Sequence, residues 1–308
     1  MQKIPAAFVI DEKYLFPALV AVYSFHKSKI IFEYTFFLSN FSEKNKTLFK
    51  QVLSKFGLQV KFVDIEIQQT RQALGYISNA MWGRLDLAKD YTDNFIYLDV
   101  DTLSHGQMAG DLLNENFRNF IQSGFPIGAV TVPIEHVNEL KKTNPLTISR
   151  TGNDYLNSGV LFINPLKWEK EKIDEKIDQL TISENPVNDQ ELLNNVFSGK
   201  YFHLNHNINK MVLNETTLEY SSGIYHYVGK LKPWNIYGFM QLAFAARVFG
   251  KNSIYYASWR AYNFTVRKMF IKLSLNPVLA TKVCFIQFKE KVSPFTQIKW
   301  LIKGNISA

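Results

Sequence analysis

The sequence predicts an α/β protein with a mostly parallel central sheet flanked by helices, followed by a basic, mainly helical C-terminal appendage. Apolar strand-like runs alternate with amphipathic helical segments over residues 4–65, which is typical of a doubly wound sheet. A short apolar run, Phe95 to Leu98, ends in the carboxylates Asp99 and Asp101, at the strand end where such sheets bind ligands. The net charge of +8 falls within residues 256–308, so we predict a functional boundary near residue 255.

The first five elements follow from the spacing of their apolar residues. Strands are predicted at the apolar and aromatic runs Ile4 to Ile10, Ile31 to Leu38 and Leu58 to Ile65. Helices are predicted at Tyr14 to His26 and Ser42 to Phe56, where apolar residues follow the helical period. This order favours parallel strands, because a parallel pair needs a crossover connection.

Later elements are predicted in the same way. A helix is expected over Met81 to Lys89, and buried strands are expected over Pro126 to Val132 and Tyr155 to Ile163. Asn188 followed by Glu191 resembles a capping box, which predicts the start of another helix.

Composition and charge limit the class of protein. Hydrophobic residues make up 46% of the chain and charged residues 20%, which indicates a folded protein. The single cysteine, Cys284, cannot form an internal disulfide, which suits a reducing compartment such as the cytoplasm. We expect no signal peptide and no membrane-spanning segment, because no long apolar run is visible. The neutral balance of residues 1–255 argues against a nucleic-acid-binding protein.

Asp99 and Asp101 are the first candidate site residues. Residues i and i+2 of an extended chain point to the same face, and two neighbouring anions repel each other unless they share a cation. Carboxylate oxygens with positions left open for phosphate suit Mg²⁺ or Mn²⁺ better than Zn²⁺. The alternative is a pair of solvated loop aspartates after a strand.

Two further stretches place small polar residues at the start of an element. Asn157 precedes a strand, and its carboxamide can read sugar hydroxyls from both ends, while Gly159 would allow a ligand to approach the backbone closely. Asp189 and Gln190 would lie in the first turn of the helix that begins near Asn188. The alternatives are an ordinary turn and a simple helix cap.

The stretch His226 to Trp234 combines an imidazole, a glycine, two lysines and a Pro-Trp pair. His226 can ligate a metal such as Mn²⁺, and Gly229 allows backbone amides to approach phosphate oxygens. Lys232 supplies a cation for a diphosphate. The alternative for a histidine alone is a structural role.

Together these motifs resemble the family 8 glycosyltransferases, and among them the bacterial lipopolysaccharide galactosyl- and glucosyltransferases. The resemblance covers roughly residues 4–240, and its motifs occur in the family's order. They are Val9 to Asp11, Gly83 to Leu85, Tyr97 to Asp101, Tyr155 to Val160, Asp189 to Asn194, His226 to Gly229, and Lys232 to Trp234.

The resemblance implies a GT-A fold and a retaining transfer of a hexose from UDP-glucose or UDP-galactose to a lipid-linked saccharide acceptor, such as a lipopolysaccharide or lipooligosaccharide intermediate. It implies that Mn²⁺, or alternatively Mg²⁺, is bound by Asp99, Asp101 and His226. It implies catalytic positions beside the anomeric carbon for Asp189 and Gln190. The residues implied to contact the donor are Val9, Asp11, Lys13, Tyr14, Arg84, Asp99, Val100, Asn157, Gly229 and Lys232.

Two positions depart from the family pattern. Residues 128–132 read Gly-Ala-Val-Thr-Val, without the acidic residue that often follows Gly-Ala in relatives. Lys13 replaces a smaller polar residue. The identity of the donor sugar therefore stays open. Double displacement by a carboxylate and front-face displacement also both stay open. The alternative function is a non-catalytic UDP-sugar or carbohydrate-binding module at the membrane surface, which would be expected to have lost a metal ligand.

The basic appendage, residues 256–308, is predicted to attach residues 1–255, the catalytic domain, to the cytoplasmic face of the inner membrane. Its first helix has an apolar arc and should end at Pro277. The arc consists of Trp259, Tyr262, Val266, Met269, Phe270 and Leu273. A second stretch places Phe285, Phe288, Phe295 and Trp300 among lysines. Basic residues beside aromatic ones suit anionic headgroups; the alternative is that the arc packs on the body.

Overall fold

The structure is a computed structural model, and it describes residues 3–66, 79–106, 108–143, 154–184, 189–212, 222–229, 232–250 and 253–289. The predicted α/β class is confirmed. Ten strands form two sheets within this part of the chain. The prediction for Asn188 lies outside the described residues, as do the lysines and aromatic residues beyond Lys289.

The large sheet has seven strands and is mostly parallel. They are β1 (Ile4–Asp11), β2 (Phe32–Ser39), β3 (Val60–Asp64), β4 (Phe95–Leu98), β6 (Ile127–Thr131), β7 (Leu156–Ile163) and β8 (Phe202–His203). Their order is β3-β2-β1-β4-β7-β6-β8. β7 runs antiparallel to both of its neighbours, while every other adjacent pair is parallel.

The small sheet adjoins the carboxyl end of β4. It contains β5 (Thr102–His105), β10 (Gly223–His226) and β9 (Lys210–Met211), in the order β5-β10-β9. β5 begins three residues after the first carboxylate of the Asp99 pair, so the chain passes from one sheet to the other at that pair.

Helices cover both faces of the large sheet. They are α1 (Leu15–Lys27), α2 (Glu43–Lys55), α3 (Ala109–Ser123), α4 (Ile134–Thr143), α5 (Pro165–Lys170), α6 (Ile173–Glu184), α7 (Asp189–Phe197), α8 (Ile236–Phe249), α9 (Ile254–Leu273) and α10 (Pro277–Lys289). Short 3₁₀ segments cover Glu12–Tyr14 and His206–Ile208.

The helix predicted over Met81 to Lys89 is part of a longer 3₁₀ segment, Asn79–Asp90. Its buried apolar residues Trp82, Leu85 and Ala88 are spaced three apart, which matches the 3₁₀ repeat of three residues per turn. The segment thereby buries one apolar edge against the sheet.

β1 lies at the centre of the hydrophobic core and is buried on both faces, as expected for a parallel strand covered by helices. Ala6, Phe8 and Ile10 belong to one apolar cluster, and Ala7 and Val9 belong to the other. The two clusters fix the sheet between its helical layers.

The apolar arc of α9 packs on the body, which was the alternative to a membrane-facing arc. Tyr262, Met269 and Leu273 are buried in the same cluster as α1, and the Tyr23 hydroxyl donates to the Lys268 carbonyl at 3.1 Å. These contacts correct the expectation that this arc faces lipid. The division of the chain at residue 255 stays a prediction about function.

Pro277 does not end α9 directly, because α9 ends at Leu273 and Pro277 begins α10. A proline is tolerated in a first helical turn, where its missing N–H has no intrahelical partner to lose. Among the described helices, none combines the length and the apolar character needed to cross a bilayer.

Candidate active site

Asp99 and Asp101 lie in the turn that joins the two sheets. The Asp99 amide donates to the Gly159 carbonyl at 2.8 Å, so the pairing between β4 and β7 continues into the turn. The Asp99 carbonyl accepts from the Thr102 hydroxyl at 2.6 Å, which turns the chain into β5. Both carboxylates are therefore held by backbone contacts on either side.

β10 brings His226 to the same turn. His226 pairs with Thr102 across the small sheet, and its buried ring lies with Nε2 3.2 Å from Asp101 Oδ1 and 3.8 Å from Asp99 Oδ2. One ligand atom from each of these three residues lies within 4.8 Å of the others. The structure thus brings together the three residues that the sequence nominated as metal ligands.

Gly159 is required by His226 rather than by a ligand. A Cβ at this position would lie 2.0 Å from His226 Cε1, which is far inside contact distance. The expectation that Gly159 leaves room for a ligand is therefore wrong, because the His226 imidazole occupies that space.

The three residues fit a divalent cation. Among the described residues, the buried Asp101 Oδ1 has no hydrogen-bond partner, and His226 Nε2 faces it at 3.2 Å. Burial by itself would raise the pKa of Asp101, but Lys232 and His226 outweigh it and hold the pKa well below its ordinary value. Two carboxylates and one imidazole form a donor set suited to Mn²⁺.

Lys232 lies beside the same carboxylate. Its ammonium pairs with Asp101 Oδ2 and donates to the Tyr227 carbonyl. A Cβ on Gly238 would lie 2.3 Å from the Lys232 carbonyl oxygen, so the start of α8 packs directly on this backbone. Gly229 adopts φ of 66°, a left-handed conformation that favours glycine.

Arg84 joins two carboxylates. Its Nη2 lies 2.9 Å from Asp99 Oδ1, and its Nε lies 3.0 Å from Asp189 Oδ2. Nη1 also donates to the Ser158 carbonyl at 2.7 Å. Burial would lower the Arg84 pKa, but Asp189 and Asp99 outweigh it and raise the pKa. Arg84 therefore stays charged and links the candidate metal site to the start of α7.

Gln190 and Asn157 meet in front of β7. Gln190 Oε1 accepts from Asn157 Nδ2 and from the Ser158 amide, both at 3.1 Å. Asn194 fixes α7 on β7, because its side chain accepts from the Leu156 amide at 2.7 Å and donates to the Leu156 carbonyl at 3.0 Å. The helix predicted near Asn188 begins at Asp189, so both catalytic candidates lie in its first turn, as expected.

The remaining donor candidates lie at two strand ends. Val9 and Asp11 are at the carboxyl end of β1, next to β4, and Asp11 accepts from the Lys13 amide at 3.0 Å. Tyr14 closes the short turn after β1, and half-buried Val100 separates the two aspartates. All of them lie at the sheet edge where open α/β sheets bind ligands.

Two residues of the site were not nominated from the sequence. Tyr97 donates to Asp99 Oδ1 at 2.5 Å, and its ring lies 4.7 Å from the Arg84 guanidinium. Its spacing of two from Asp99 was the signal that could have found it. Asn209 Oδ1 lies 3.0 Å from His226 Nδ1, and no local pattern marks Asn209.

Comparison with known proteins identifies a family and several relatives. The sequence profile described as "Glycosyl transferase family 8" matches residues 5–237. A putative glycosyltransferase of Haemophilus influenzae is 31% identical over 54% of this chain and 51% of its own length, so the chain spans about half of that relative. A lipopolysaccharide 1,2-glucosyltransferase of Escherichia coli is 24% identical over 96% of this chain and 90% of its own length. A lipopolysaccharide 1,3-galactosyltransferase of Salmonella typhimurium is 24% identical over 77% of this chain and 74% of its own length.

Solved structures share the architecture. The galactosyltransferase LgtC, in complex with donor and acceptor sugar analogues, matches with a TM-score of 0.62 at 22% identity over 84% of this chain and 100% of its own. The glycosyltransferase GlyE of Streptococcus pneumoniae TIGR4 matches with a TM-score of 0.55 at 20% identity over 88% of this chain and 64% of its own. At these identities the likeness shows the fold, which is of the GT-A type. Because the family profile spans more than half of the sequence, the chain belongs to glycosyl transferase family 8.

Proposed function

We propose that the protein transfers a hexose, glucose or galactose, from a UDP-sugar to a saccharide acceptor, with retention of anomeric configuration. The observation that carries this proposal is the Asp99, Asp101 and His226 cluster, whose ligand atoms lie within 4.8 Å of one another. Two relatives are named as lipopolysaccharide glucosyl- and galactosyltransferases, which supports a lipopolysaccharide or lipooligosaccharide intermediate as the acceptor.

The residues around this cluster have separate roles in the proposed reaction. When Mn²⁺ or Mg²⁺ is bound by the cluster, it supplies Lewis-acid stabilisation of the charge on the departing UDP. Lys232, already beside Asp101, adds a second positive charge for the diphosphate. Asp11, Lys13 and Tyr14 hold the uridine at the end of β1.

Contacts at the start of α7 favour front-face displacement over a covalent intermediate. The Asp189 carboxylate is buried and paired with Arg84 at 3.0 Å, so it is a poor nucleophile in this arrangement. Gln190 Oε1 is occupied by donors from Asn157 and Ser158. The departing phosphate is then the base that accepts the acceptor's proton, while Asn157 and Gln190 orient the donor sugar.

The first test measures UDP release. Purified protein is mixed with Mn²⁺ and, separately, with UDP-glucose, UDP-galactose and UDP-N-acetylglucosamine, without an acceptor. Slow hydrolysis of one donor is expected. Asp101→Asn should lower Mn²⁺-dependent release by roughly 10²–10³, because it removes a proposed ligand of the cation that would stabilise the leaving group. Its circular dichroism spectrum should match that of the parent protein.

Asp93→Asn is the matched control, since Asp93 is an exposed aspartate just before β4. It should release UDP at the parent rate. Full activity in EDTA, with metal content verified as nil, would exclude the proposed role of the cation. Donor binding without release of UDP from any of the three sugars would instead indicate a non-catalytic binding module.

We further propose that the protein attaches to the cytoplasmic face of the inner membrane through its basic C-terminal region together with the adjoining lysines of α2. A cleft of about 690 Å³ lies between α2 and α10, and it is lined by Lys50, Lys55 and Lys282. The described residues that line it include no carboxylate. Leu275 lies between α9 and α10 and is 84% exposed. Val278 lies in the first turn of α10 and is 65% exposed. Lysines beside exposed apolar side chains suit an anionic lipid surface.

A further inference from the structure

A chain of hydrogen bonds leads from the start of α7 to His226. Gln190 Oε1 accepts from Asn157 Nδ2 at 3.1 Å, and Asn157 Oδ1 accepts from Asn209 Nδ2 at 2.8 Å. Asn209 Oδ1 faces His226 Nδ1 at 3.0 Å. Asn157, Asn209 and His226 are 6%, 1% and 4% exposed, so water is not a ready substitute for these contacts.

Two backbone amides give this chain a direction. A carboxamide could in principle be turned over so that its nitrogen and oxygen exchange places. The Gly159 amide donates to Asn157 Oδ1 at 3.0 Å, and the Ser158 amide donates to Gln190 Oε1 at 3.1 Å. A backbone N–H can only donate, so an oxygen must face it in both cases. Neither carboxamide can be turned over without placing one N–H against another.

The orientation of Asn157 determines the orientation of Asn209, and through it which atom faces the His226 imidazole. Asn157 Oδ1 needs a donor from Asn209, so the Asn209 amino group faces Asn157 and the Asn209 oxygen faces His226. A carboxamide oxygen accepts but does not donate. We propose that Asn209 is a positioning residue, which keeps a proton on Nδ1 of His226 and leaves Nε2 as the nitrogen that faces the carboxylates.

A second contact of the His226 ring, with Asp101, favours the opposite tautomer, so the effect of Asn209 on the tautomer can be tested. Asp101 Oδ1 lies 3.2 Å from His226 Nε2, so a proton on Nε2 would also find an acceptor. Without Asn209, the neutral ring would favour the opposite tautomer. Its Nε2 would then carry a proton and could not bind a cation. The link to metal binding rests on the proposed role of His226 as a ligand, whereas the link to the tautomer does not. Groups that orient a ligating histidine typically contribute a factor of 10–100 to metal affinity.

The tautomer can be read without metal or substrate. Nitrogen-15 NMR of histidine-labelled, metal-free protein at alkaline pH distinguishes the two ring nitrogens, and His226→Ala identifies the signal among six histidines. In the parent protein we expect the proton on Nδ1. In Asn209→Leu we expect it on Nε2, facing Asp101. In Asn209→Asp, which keeps an oxygen facing Nδ1, we expect it to return to Nδ1.

Mn²⁺ binding in the presence of UDP is the second measurement, followed by electron paramagnetic resonance of the free ion. Asn209→Leu should weaken binding about 10- to 100-fold, and Asn209→Asp should restore most of it. Asn114→Leu is the matched control, because the Asn114 side chain, among the described residues, bonds a carbonyl of its own helix, Gly110, at 2.8 Å. It should bind Mn²⁺ as the parent does.

The outcomes separate the two proposals. A parent protein with the proton on Nε2, or an Asn209→Leu protein that keeps it on Nδ1, overturns the role of Asn209. If Asn209→Leu does not fold, the parent and Asn209→Asp measurements still decide. If the tautomer changes as expected but His226→Ala binds Mn²⁺ as tightly as the parent, Asn209 sets the tautomer and the proposed metal role of His226 fails.

Discussion

At the scale of single residues, Gln190 is distinguished by how completely its oxygen is engaged. The Ser158 amide and Asn157 Nδ2 both donate to it at 3.1 Å, so the carboxamide is fixed before any donor binds. Gln190→Ala should lower kcat by roughly 10² and raise the donor KM much less, because a preorganised contact matters most in the transition state. Steady-state kinetics with the donor selected by the UDP-release screen checks this.

Gln190→Glu serves as the comparison, because it retains an oxygen facing the Ser158 amide. It should keep more activity than the alanine variant. If kcat and KM of Gln190→Ala both equal those of the parent, the residue only begins α7 and has no part in the reaction.

Residue identities in the site were predictable where they sit at strand ends. Asp99 and Asp101 could be found because they follow an apolar strand, but the strand alternation expected to put them on one face does not apply, since both lie in the turn after β4. His226 was marked by its glycine and lysine neighbours. Asn209 could not be found, because its importance comes from contacts with Asn157 and His226. Those partners are distant in sequence, and no local pattern encodes the pairing.

At the scale of elements, β7 and β10 depend on each other through Gly159. An alanine there would place its Cβ 2.0 Å from His226 Cε1, and β7 cannot retreat because it is paired on both edges. Gly159→Ala should therefore displace the imidazole, abolish Mn²⁺ binding and lower the free energy of unfolding by about 1–3 kcal/mol. Thermal melting and Mn²⁺ titration measure the two effects.

A double variant isolates the cause. In the His226→Ala background, Gly159→Ala should change the Tm little, since the colliding ring has gone. An equal loss of Tm in both backgrounds would contradict this explanation and would indicate strain within β7 itself.

Elements with a regular period were predicted well, and those that depend on tertiary contacts were not. The strands β1, β2 and β3 and the helices α1 and α2 between them could be predicted from the spacing of apolar residues alone. The reversed direction of β7 could not be foreseen, because strand direction depends on the path of the preceding connection. The 3₁₀ geometry of Asn79–Asp90 follows from burial of Trp82, Leu85 and Ala88 against the body, and the helical reading of the sequence missed their spacing of three.

At the scale of the whole molecule, the position of α9 changes how the basic region can be tested. Truncation after Ser253 would remove buried Tyr262, Met269 and Leu273 from the core. Such a protein is expected to unfold, so deletion at this point cannot separate membrane attachment from stability. Charge substitution on the surface of the intact chain avoids the problem.

Membrane attachment through the cleft between α2 and α10 is therefore tested by replacing its three lysines: Lys50→Gln, Lys55→Gln and Lys282→Gln. Each lysine near an anionic surface contributes about 1 kcal/mol, so the variant should sediment much less with anionic vesicles at low salt. It should hydrolyse the donor sugar as the parent does, because the cleft lies between α2 and α10. High salt should release the parent protein.

The matched control replaces Lys89, Lys170 and Lys176 by glutamine, which removes the same charge from exposed lysines outside the cleft. It should sediment like the parent. If both triple variants bind vesicles equally well, the cleft is not the contact surface and the attachment proposal loses its structural basis.

The passage of the chain from one sheet to the other at Asp99 has a consequence for the order of events during synthesis. Asp101 and its partner Lys232 are 131 residues apart in sequence, and His226 reaches the carboxylates only when β10 pairs with β5. A nascent chain that ends before β10 already contains the residues of β1 to β9, yet it lacks the imidazole and the lysine of the site. The proposed cation site is therefore completed late in synthesis, after most of the core has been translated.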